Sequence, residues 1–293
     1  ENVFDIQQGV AIGIFVKRQR KNAAHTTVVH HAHLWGLREI YGKVGQEKRL
    51  VGGKYYWLAE NDISKTRWTI LNPKTPFYLF IPQNTDLLAE FEQSWKVTEI
   101  LPVNTVGVVT GQDAKTIAQT FTEAESLAKS LSLPSNVVKP ILYRPFDIQF
   151  ITFSKQVVTR PRLEVMRHML DGTNIALIFM RQVALHESYS HFDVTRYPVD
   201  NRAFFSNKGI MSLTPLYLYP DPNKKSLFDT DEPSKAPGGR RPNLSPTFIT
   251  DISNKLNMQF IPDGKGDLQT TFGPEDIFHY MYAVFHSPAY RER

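Results

Sequence analysis

Basic and amide side chains recur at turns and helix starts through the second half of this 293-residue chain. Thr159-Arg160-Pro161-Arg162 leads into a helical pattern that carries Arg167 and His168. Arg181-Gln182 follows an apolar strand pattern, Ser206-Asn207-Lys208-Gly209 is a polar turn, and Arg240-Arg241 closes a polar loop. These residue types read nucleic acid in two ways. Arg and Lys neutralise phosphates, and a helix start adds its dipole to theirs. Arg bidentate to guanine, and Gln or Asn bidentate to adenine, discriminate base edges. Taken singly, each Arg is more simply a solvated charge or the partner of a carboxylate; taken as a set, the basic turns point to a nucleic-acid surface. Arg160, Arg162, Arg167 and Arg241 are the phosphate candidates. Arg181, Gln182 and Asn207 are the base-edge candidates, with Lys208 in the same turn as Asn207. Arg144, just before Pro145, is the ninth candidate and the one most readily explained as structural.

The chain offers no complete catalytic set. It lacks a Gly-rich phosphate loop ending in Gly-Lys-Ser/Thr, a Gly-x-Gly-x-x-Gly fingerprint and a Gly-x-Ser-x-Gly elbow. Pro262-Asp263-Gly264-Lys265 comes nearest to a nuclease-like carboxylate and lysine pair, and a Gly-containing turn explains it more simply. His30, His31 and His33, with His25 nearby, could place two imidazoles on one strand face. No carboxylate lies within that cluster, so a solvated edge strand is the simpler reading and no metal site is assigned. His279 and His286, seven apart, fit packing within an aromatic helix.

Without cysteine the chain has neither disulfides nor thiolate chemistry, which fits a cytosolic protein. A net charge of +5 and a pI near 9.2 favour phosphate-bearing partners without requiring them. Its 41% hydrophobic, 22% charged and 12% aromatic residues are those of a folded globular protein. No apolar run approaches the roughly 18 to 20 residues that span a bilayer. The opening Glu1-Asn2-Val3-Phe4-Asp5 has neither initiator Met nor signal-peptide character and reads as part of a longer chain.

The elements that must position the basic turns follow from periodicity and punctuation. Gly9–Val16 and Thr26–Leu34 read as buried strands, the former covered on both faces. Leu37–Leu50 reads as a helix ended by Gly52-Gly53, Trp68–Leu71 and Pro76–Ile81 as strands, and Leu87–Trp95 as a helix. A long helix is expected from Ala114 to Leu131, with Asp113 as N-cap and Pro134 as stop. Asp147–Phe153, Asn174–Met180 and Met211–Tyr219 read as strands, and Pro161–Leu170 as a helix with Gly172 just beyond it. Residues 221–242, with four prolines and mixed charges, read as a mobile solvated loop. Helices close the chain at Pro246–Leu256 and Pro274–His286, the latter with Glu275 and Asp276 at its positive end. The fold class is α+β, with a boundary between Leu34 and Trp68.

Several stretches carry a resemblance to a known family. Asn2 to Ile12 resembles a segment late in the methyltransferase domain of adenine-specific DNA methylases. Pro76-Phe77-Tyr78-Leu79-Phe80, Tyr143-Arg144-Pro145-Phe146-Asp147, Arg160-Pro161-Arg162 and Met166-Arg167-His168-Met169-Leu170 resemble the C-terminal part of type ISP restriction-modification enzymes. Ser206–Gly209, Pro215–Tyr219, Pro242–Pro246 and Pro274–Tyr280 continue the match in order. The resemblance implies a polypeptide with nuclease, ATP-driven translocase, methyltransferase and target-recognition parts. Residues 1–34 would then be terminal strands of an α/β methyltransferase sheet, 35–67 a connecting region, and 68–293 a mixed-sheet target-recognition domain with packed helices. It also implies double-stranded DNA as partner, upstream methyltransferase and motor domains in the same polypeptide, and S-adenosylmethionine, ATP and Mg2+ as cofactors of that parent. This chain lacks the Gly-rich loop and the Asn-Pro-Pro-Tyr motif that such a methyltransferase needs. Asn72-Pro73-Lys74-Thr75 comes closest and lacks the second proline and the aromatic residue. No cofactor is therefore assigned to the chain itself. A docking or scaffolding module of the same enzyme, with 221–242 as a strap, is the alternative reading.

Overall fold

The computed structural model describes every residue except 5, 7–9, 18–26, 76–77, 85, 87, 182–190, 205–208, 222–233 and 293. The chain divides into two compact units, Glu1–Gln93 and Ser94–Arg293.

In the first unit, β1 (Val29–His31) is followed by β2 (Ile40–Val44), β3 (Glu47–Gly52), α1 (Lys54–Glu60), β4 (Thr69–Leu71) and α2 (Leu88–Glu92). β1 and β4 form one antiparallel pair and β2 and β3 another. The helix expected over Leu37–Leu50 is instead this β2–β3 hairpin. Val44 pairs with Glu47, leaving Gly45-Gln46 as a two-residue turn with Gly45 at φ 65°. Glycine in a helix costs about 1 kcal/mol relative to alanine, whereas a Gly in this conformation suits a tight hairpin. The apolar run is not a strand over its described residues 10–16, and it is uncovered: Ile12, Ile14 and Phe15 are 78%, 76% and 81% exposed. A strand exists only through pairing, and none of the described strands pairs with this run. Nor do residues 78–81 form a strand, because Tyr78 turns the backbone left-handed at φ 46°. In the histidine cluster the His31 and His33 rings lie edge-on at 4.2 Å, with His33 against Trp35.

The second unit opens with α3 (Val97–Ile100), β5 (Thr105–Val106), α4 (Asp113–Thr116), β6 (Ile117–Ala118) and α5 (Phe121–Ser130). The single helix expected from Ala114 to Leu131 is therefore broken. Ile117 and Ala118 join a sheet, and Thr120 restarts the helix with a capping box: its hydroxyl accepts from the Glu123 amide while the Glu123 carboxylate accepts from its own. β7 (Val138–Arg144) and β8 (Asp147–Thr152) complete a three-stranded sheet in the order β6-β8-β7. After α6 (Leu163–Met166) and a 3-10 turn over Arg167–Met169 come β9 (Ala176–Met180), β10 (Phe192–Thr195) and β11 (Met211–Pro215). With β5 these form an antiparallel sheet ordered β10-β9-β11-β5. β12 (Tyr217–Leu218) pairs with β13 (Arg241–Pro242). Then follow α7 (Pro246–Leu256), the parallel pair β14 (Gln259–Phe260) and β15 (Thr271–Phe272), α8 (Pro274–His286) and α9 (Pro288–Arg291).

Both faces of the second sheet are buried, which is why β9 reads as an unbroken apolar run. Ala176, Ile178 and Met180 face one core with Met211, Leu213, Met166 and Ile151. Leu177 and Phe179 face the other, with Phe248 of α7 and Ile277, Phe278, Met281 and Phe285 of α8. Two buried asparagines tie the layers. Asn174 bonds His168 O, Tyr217 O and the Tyr217 and Ile175 amides, and Asn243 bonds Val103 O, Pro215 O and the Val103 amide. The α+β class expected from the sequence is the observed one. Of the expected mobile loop, residues 222–233 lie outside the described residues. Its described end is a turn at Pro237–Gly239 followed by β13.

Candidate nucleic-acid interface

The β6-β8-β7 sheet does not stop at β7. Leu142 pairs with Val199, Asp200 with Val108, and Val109 with Arg160. The Asp200 amide donates to Leu142 O at 3.0 Å, the Val108 amide to Val199 O at 2.8 Å, and the Arg160 amide to Val109 O at 2.9 Å. Alternate residues of an extended chain direct their backbone groups to opposite sides. Residues 198–201 therefore run beside β7, residues 107–109 beside them, and residues 159–160 on the far side. Gly107 marks the closest approach in this row, since a Cβ there would lie 2.4 Å from the Asn201 Cα. The row brings together Arg144 and Arg160, with Arg162 two residues beyond.

Three environments distinguish these arginines. Arg144 donates from Nη1 to Asp200 Oδ1 at 2.9 Å and lies 3.8 Å over the Tyr143 ring. Burial raises the Asp200 carboxyl above its ordinary value, against the lowering effects of the Arg202 amide and of Arg144. Tyr143 in turn donates its hydroxyl to Asp113 Oδ2 at 2.7 Å, and the other oxygen of Asp113 accepts from Thr110. Asp113 is thus the clamp of the hairpin end rather than the N-cap expected for it; Gln112 holds the cap position. Arg160 is exposed on the row. Arg162 starts α6 in a left-handed backbone, φ 54° and ψ 42°, with its Nε buried and without a hydrogen-bond partner. Such strain in a non-glycine residue concentrates where structure is committed to a task.

Arg167 and Arg241 sit elsewhere, at the base of the 221–242 segment. Arg167 donates from Nη1 to Tyr219 O at 2.9 Å and to Pro220 O. Beside it His168 accepts from the Tyr219 amide at Nδ1, 2.9 Å away. Burial, then the nearby Arg167 and Arg241 charges, push the His168 imidazole down to about 4. Arg241 is exposed on β13 opposite Leu218. Arg181 is exposed where β9 ends. Gln182, Asn207 and Lys208 lie outside the described residues. Met180 pairs with Met211, so the end of β9, with Arg181 just beyond it, and the start of β11 share one end of the sheet.

Sequence reasoning passed over Arg240 in favour of Arg241. The Arg240 side chain is only 16% exposed; its Nε donates to Asp263 Oδ1 at 2.7 Å and its guanidinium lies 3.9 Å over the Tyr217 ring. Burial pushes the Tyr217 phenol up to about 12, and its oxygen accepts from the Gly264 amide at 3.0 Å. Asp263 is therefore the partner of Arg240 in a turn, in keeping with the structural reading of Asp263-Gly264-Lys265. Phe146, 91% exposed at the β7–β8 corner, was also missed as a candidate. Its presence in the Tyr143–Asp147 stretch was legible, but its position at the tip was not.

Residues 86–293 match the Type ISP C-terminal specificity domain, and the chain belongs to that family. No curated protein matches it. Among solved structures it resembles a DrdV–DNA complex at 18% identity and a TM-score of 0.52, over 81% of this chain and 26% of that one. It also resembles the ATP-dependent Type ISP restriction-modification enzyme LlaBIII bound to DNA, at 16% identity and a TM-score of 0.50, over 77% of this chain and 16% of that one. The chain thus spans about a quarter or less of these larger chains, and the likeness is one of fold.

Proposed function

We propose that this chain recognises a specific sequence in duplex DNA and positions on it the catalytic parts of a restriction-modification enzyme. The observation that carries the reading is the row of paired backbone segments, from β7 through 198–201 and 107–109 to 159–160, that carries Arg144 at one edge and Arg160 at the other, within a specificity-domain fold. Arg160, whose side chain makes no hydrogen bond or ion pair among the described residues, and Arg162, whose Nε is likewise unpaired among them, suit phosphates; Arg144 is held by Asp200 and orients the corner beside it. Arg181 and the unplaced Gln182, Asn207 and Lys208 remain the base-edge proposals. Arg167 and Arg241 act at the root of the 221–242 segment, Arg167 by holding its backbone. The parts supplied by the parent polypeptide would be an adenine-N6 methyltransferase with its S-adenosylmethionine, and a nuclease and translocase using ATP and Mg2+, in the cytoplasm. This chain has no residues matching either methyltransferase motif, so no chemical step is assigned to it.

Fluorescence anisotropy of the 293-residue chain with a labelled duplex tests the reading. Binding should weaken steeply with salt, by about one unit of log-log slope for each phosphate neutralised. The Arg160→Ala variant should bind more weakly at low salt with a shallower slope. Salt-independent or absent binding would sink the proposal.

The first unit supports a different role for itself. None of its described residues is buried, and Trp35, Ile70 and Phe15 are 79%, 69% and 81% exposed. We read residues 1–34 as a segment that completes the methyltransferase sheet, 10–16 becoming a strand only when paired there, 35–67 as the connection, and 68–293 as the recognition domain. Hydrogen exchange of the chain with and without the upstream domain distinguishes this from a free-standing module. Protection of residues 28–71 should rise only in the longer protein.

A further inference from the structure

The β7–β8 corner ends in an aromatic ring that the fold does not use. Arg144 pairs with Asp147, leaving Pro145-Phe146 as the turn, and Phe146 takes φ 61°. Proline at the first corner and positive φ at the second are the needs of a type II turn, where the second corner normally goes to Gly or Asn. A bulky side chain there strains the backbone. Nothing in the fold compensates for it: the ring is 91% exposed and, among the described residues, stacks on no other ring. The next residues on its face show where covering stops. Phe150 is packed edge-on against Phe121 of α5, whereas Ile148 is 51% exposed.

The base of the corner, by contrast, is fixed from two sides. The Tyr143 hydroxyl is held by Asp113 and the Arg144 guanidinium by Asp200, so the ring projects from a braced support. Arg144 stands at its base, ion-paired to Asp200 on the next segment, and Arg160 lies at the far edge of the row. Charged residues are depleted from the cores of protein–protein interfaces, but cations beside an apolar side chain fit a polyanion whose interior is a stack of aromatic rings.

We propose that Phe146 is a wedge that enters the base stack of duplex DNA, with Arg160 and Arg162 of the row holding backbone phosphates. The inference rests on the DNA-recognition reading above and deepens it by naming what one residue does to the duplex. Inserting a ring requires a base step to open, so the wedge distorts the duplex where it enters, and specificity arises in part from how readily a step unstacks.

The test compares two labelled duplexes of identical sequence, one carrying a single abasic site, by anisotropy with the 293-residue chain. The abasic site removes one base from the stack beforehand, so the wild-type chain should bind that duplex about ten-fold more tightly. Phe146→Ala should bind both duplexes equally, with the wild-type salt slope and an unchanged thermal midpoint, since the ring contributes no buried contact. Phe146→Trp should keep the preference. A wild-type chain with salt-dependent binding but no preference, or a Phe146→Ala variant that retains it, overturns the wedge and leaves the exposed ring to a protein partner. If the wild-type chain binds neither duplex, the DNA-recognition reading itself fails, an outcome distinct from both.

Discussion

The two units of this chain share an apolar vocabulary and use it in opposite ways. In Ser94–Arg293, alternate residues of β9 enter two cores, β11 adds Met211 and Leu213 to one of them, and Met211, Leu213, Ile178 and Met166 are fully buried. In Glu1–Gln93, valines, tryptophans and tyrosines stand on two-stranded pairs and a seven-residue helix, and none of the described residues is buried. Two-stranded pairs are marginal by themselves, because they have no second layer on which to bury a face. Apolar content states a demand for burial; only layering meets it. A recognition surface needs the second kind of unit, because strained and charged residues must be held by something rigid.

The largest expected effect tests that contrast directly. Leu213→Ala in β11 removes a fully buried side chain between packed layers and should cost about 3 to 4 kcal/mol of unfolding free energy. Leu58→Ala on α1, where the leucine is 49% exposed, should cost less than about 0.5 kcal/mol. Urea unfolding midpoints measure both. Comparable losses at the two positions would show that the first unit carries a core of its own, and the comparison would collapse.

What was legible in the sequence divides along the same line. The bounds expected for α7 and α8 are the observed ones, since each has Pro at its first position and an apolar face that meets the β10-β9-β11-β5 sheet. β9 and β11 were legible as buried runs. The 40–52 hairpin was not, because its signal lies in the Gly45 turn rather than in periodicity, and the apolar run at 10–16 carried the demand for burial without the identity of its cover. For the site, arginine positions were visible but their commitments were not. Arg144 meets a carboxylate 56 residues away and Arg167 a carbonyl 52 residues away, and both contacts are products of topology. Left-handed backbone at Phe146 and Arg162 leaves no mark in residue type.

A smaller effect concerns how the second unit holds the 221–242 segment. His168 accepts from the Tyr219 amide only when its Nδ1 is unprotonated, and its imidazole is held down to about 4. The unfolded chain, with an ordinary value near 6.5, takes up the proton first. Stability from this group is therefore complete above about pH 6.5 and declines as pH falls towards 4, by up to about 2 kcal/mol once solvent screening is allowed for. Unfolding midpoints across this range should fall more steeply for the wild type than for His168→Gln, whose acceptor does not titrate. Parallel curves would mean that the imidazole does not tie the segment down.

The smallest effect is the sharpest on the purpose of strain. Five of the six non-glycine residues with positive φ among the described residues belong to the second unit, and Arg162 is one of them. A left-handed backbone costs a residue of this kind about 1 to 2 kcal/mol. Arg162→Gly removes that strain and the unpaired Nε, while making the unfolded chain more flexible by about 0.5 to 1 kcal/mol. Its unfolding free energy should therefore match or exceed that of the wild type by up to about 1 kcal/mol, while DNA binding by anisotropy weakens. Asn257→Gly, at the left-handed end of α7 and apart from the row, should change neither by much. If Arg162→Gly is instead less stable, the arginine is there to hold α6, and the row loses one of its two proposed phosphate ligands. If stability is kept and binding is lost, the strain is sustained by the two cores for the sake of the surface, which the first unit, with none of its described residues buried, has no means to do.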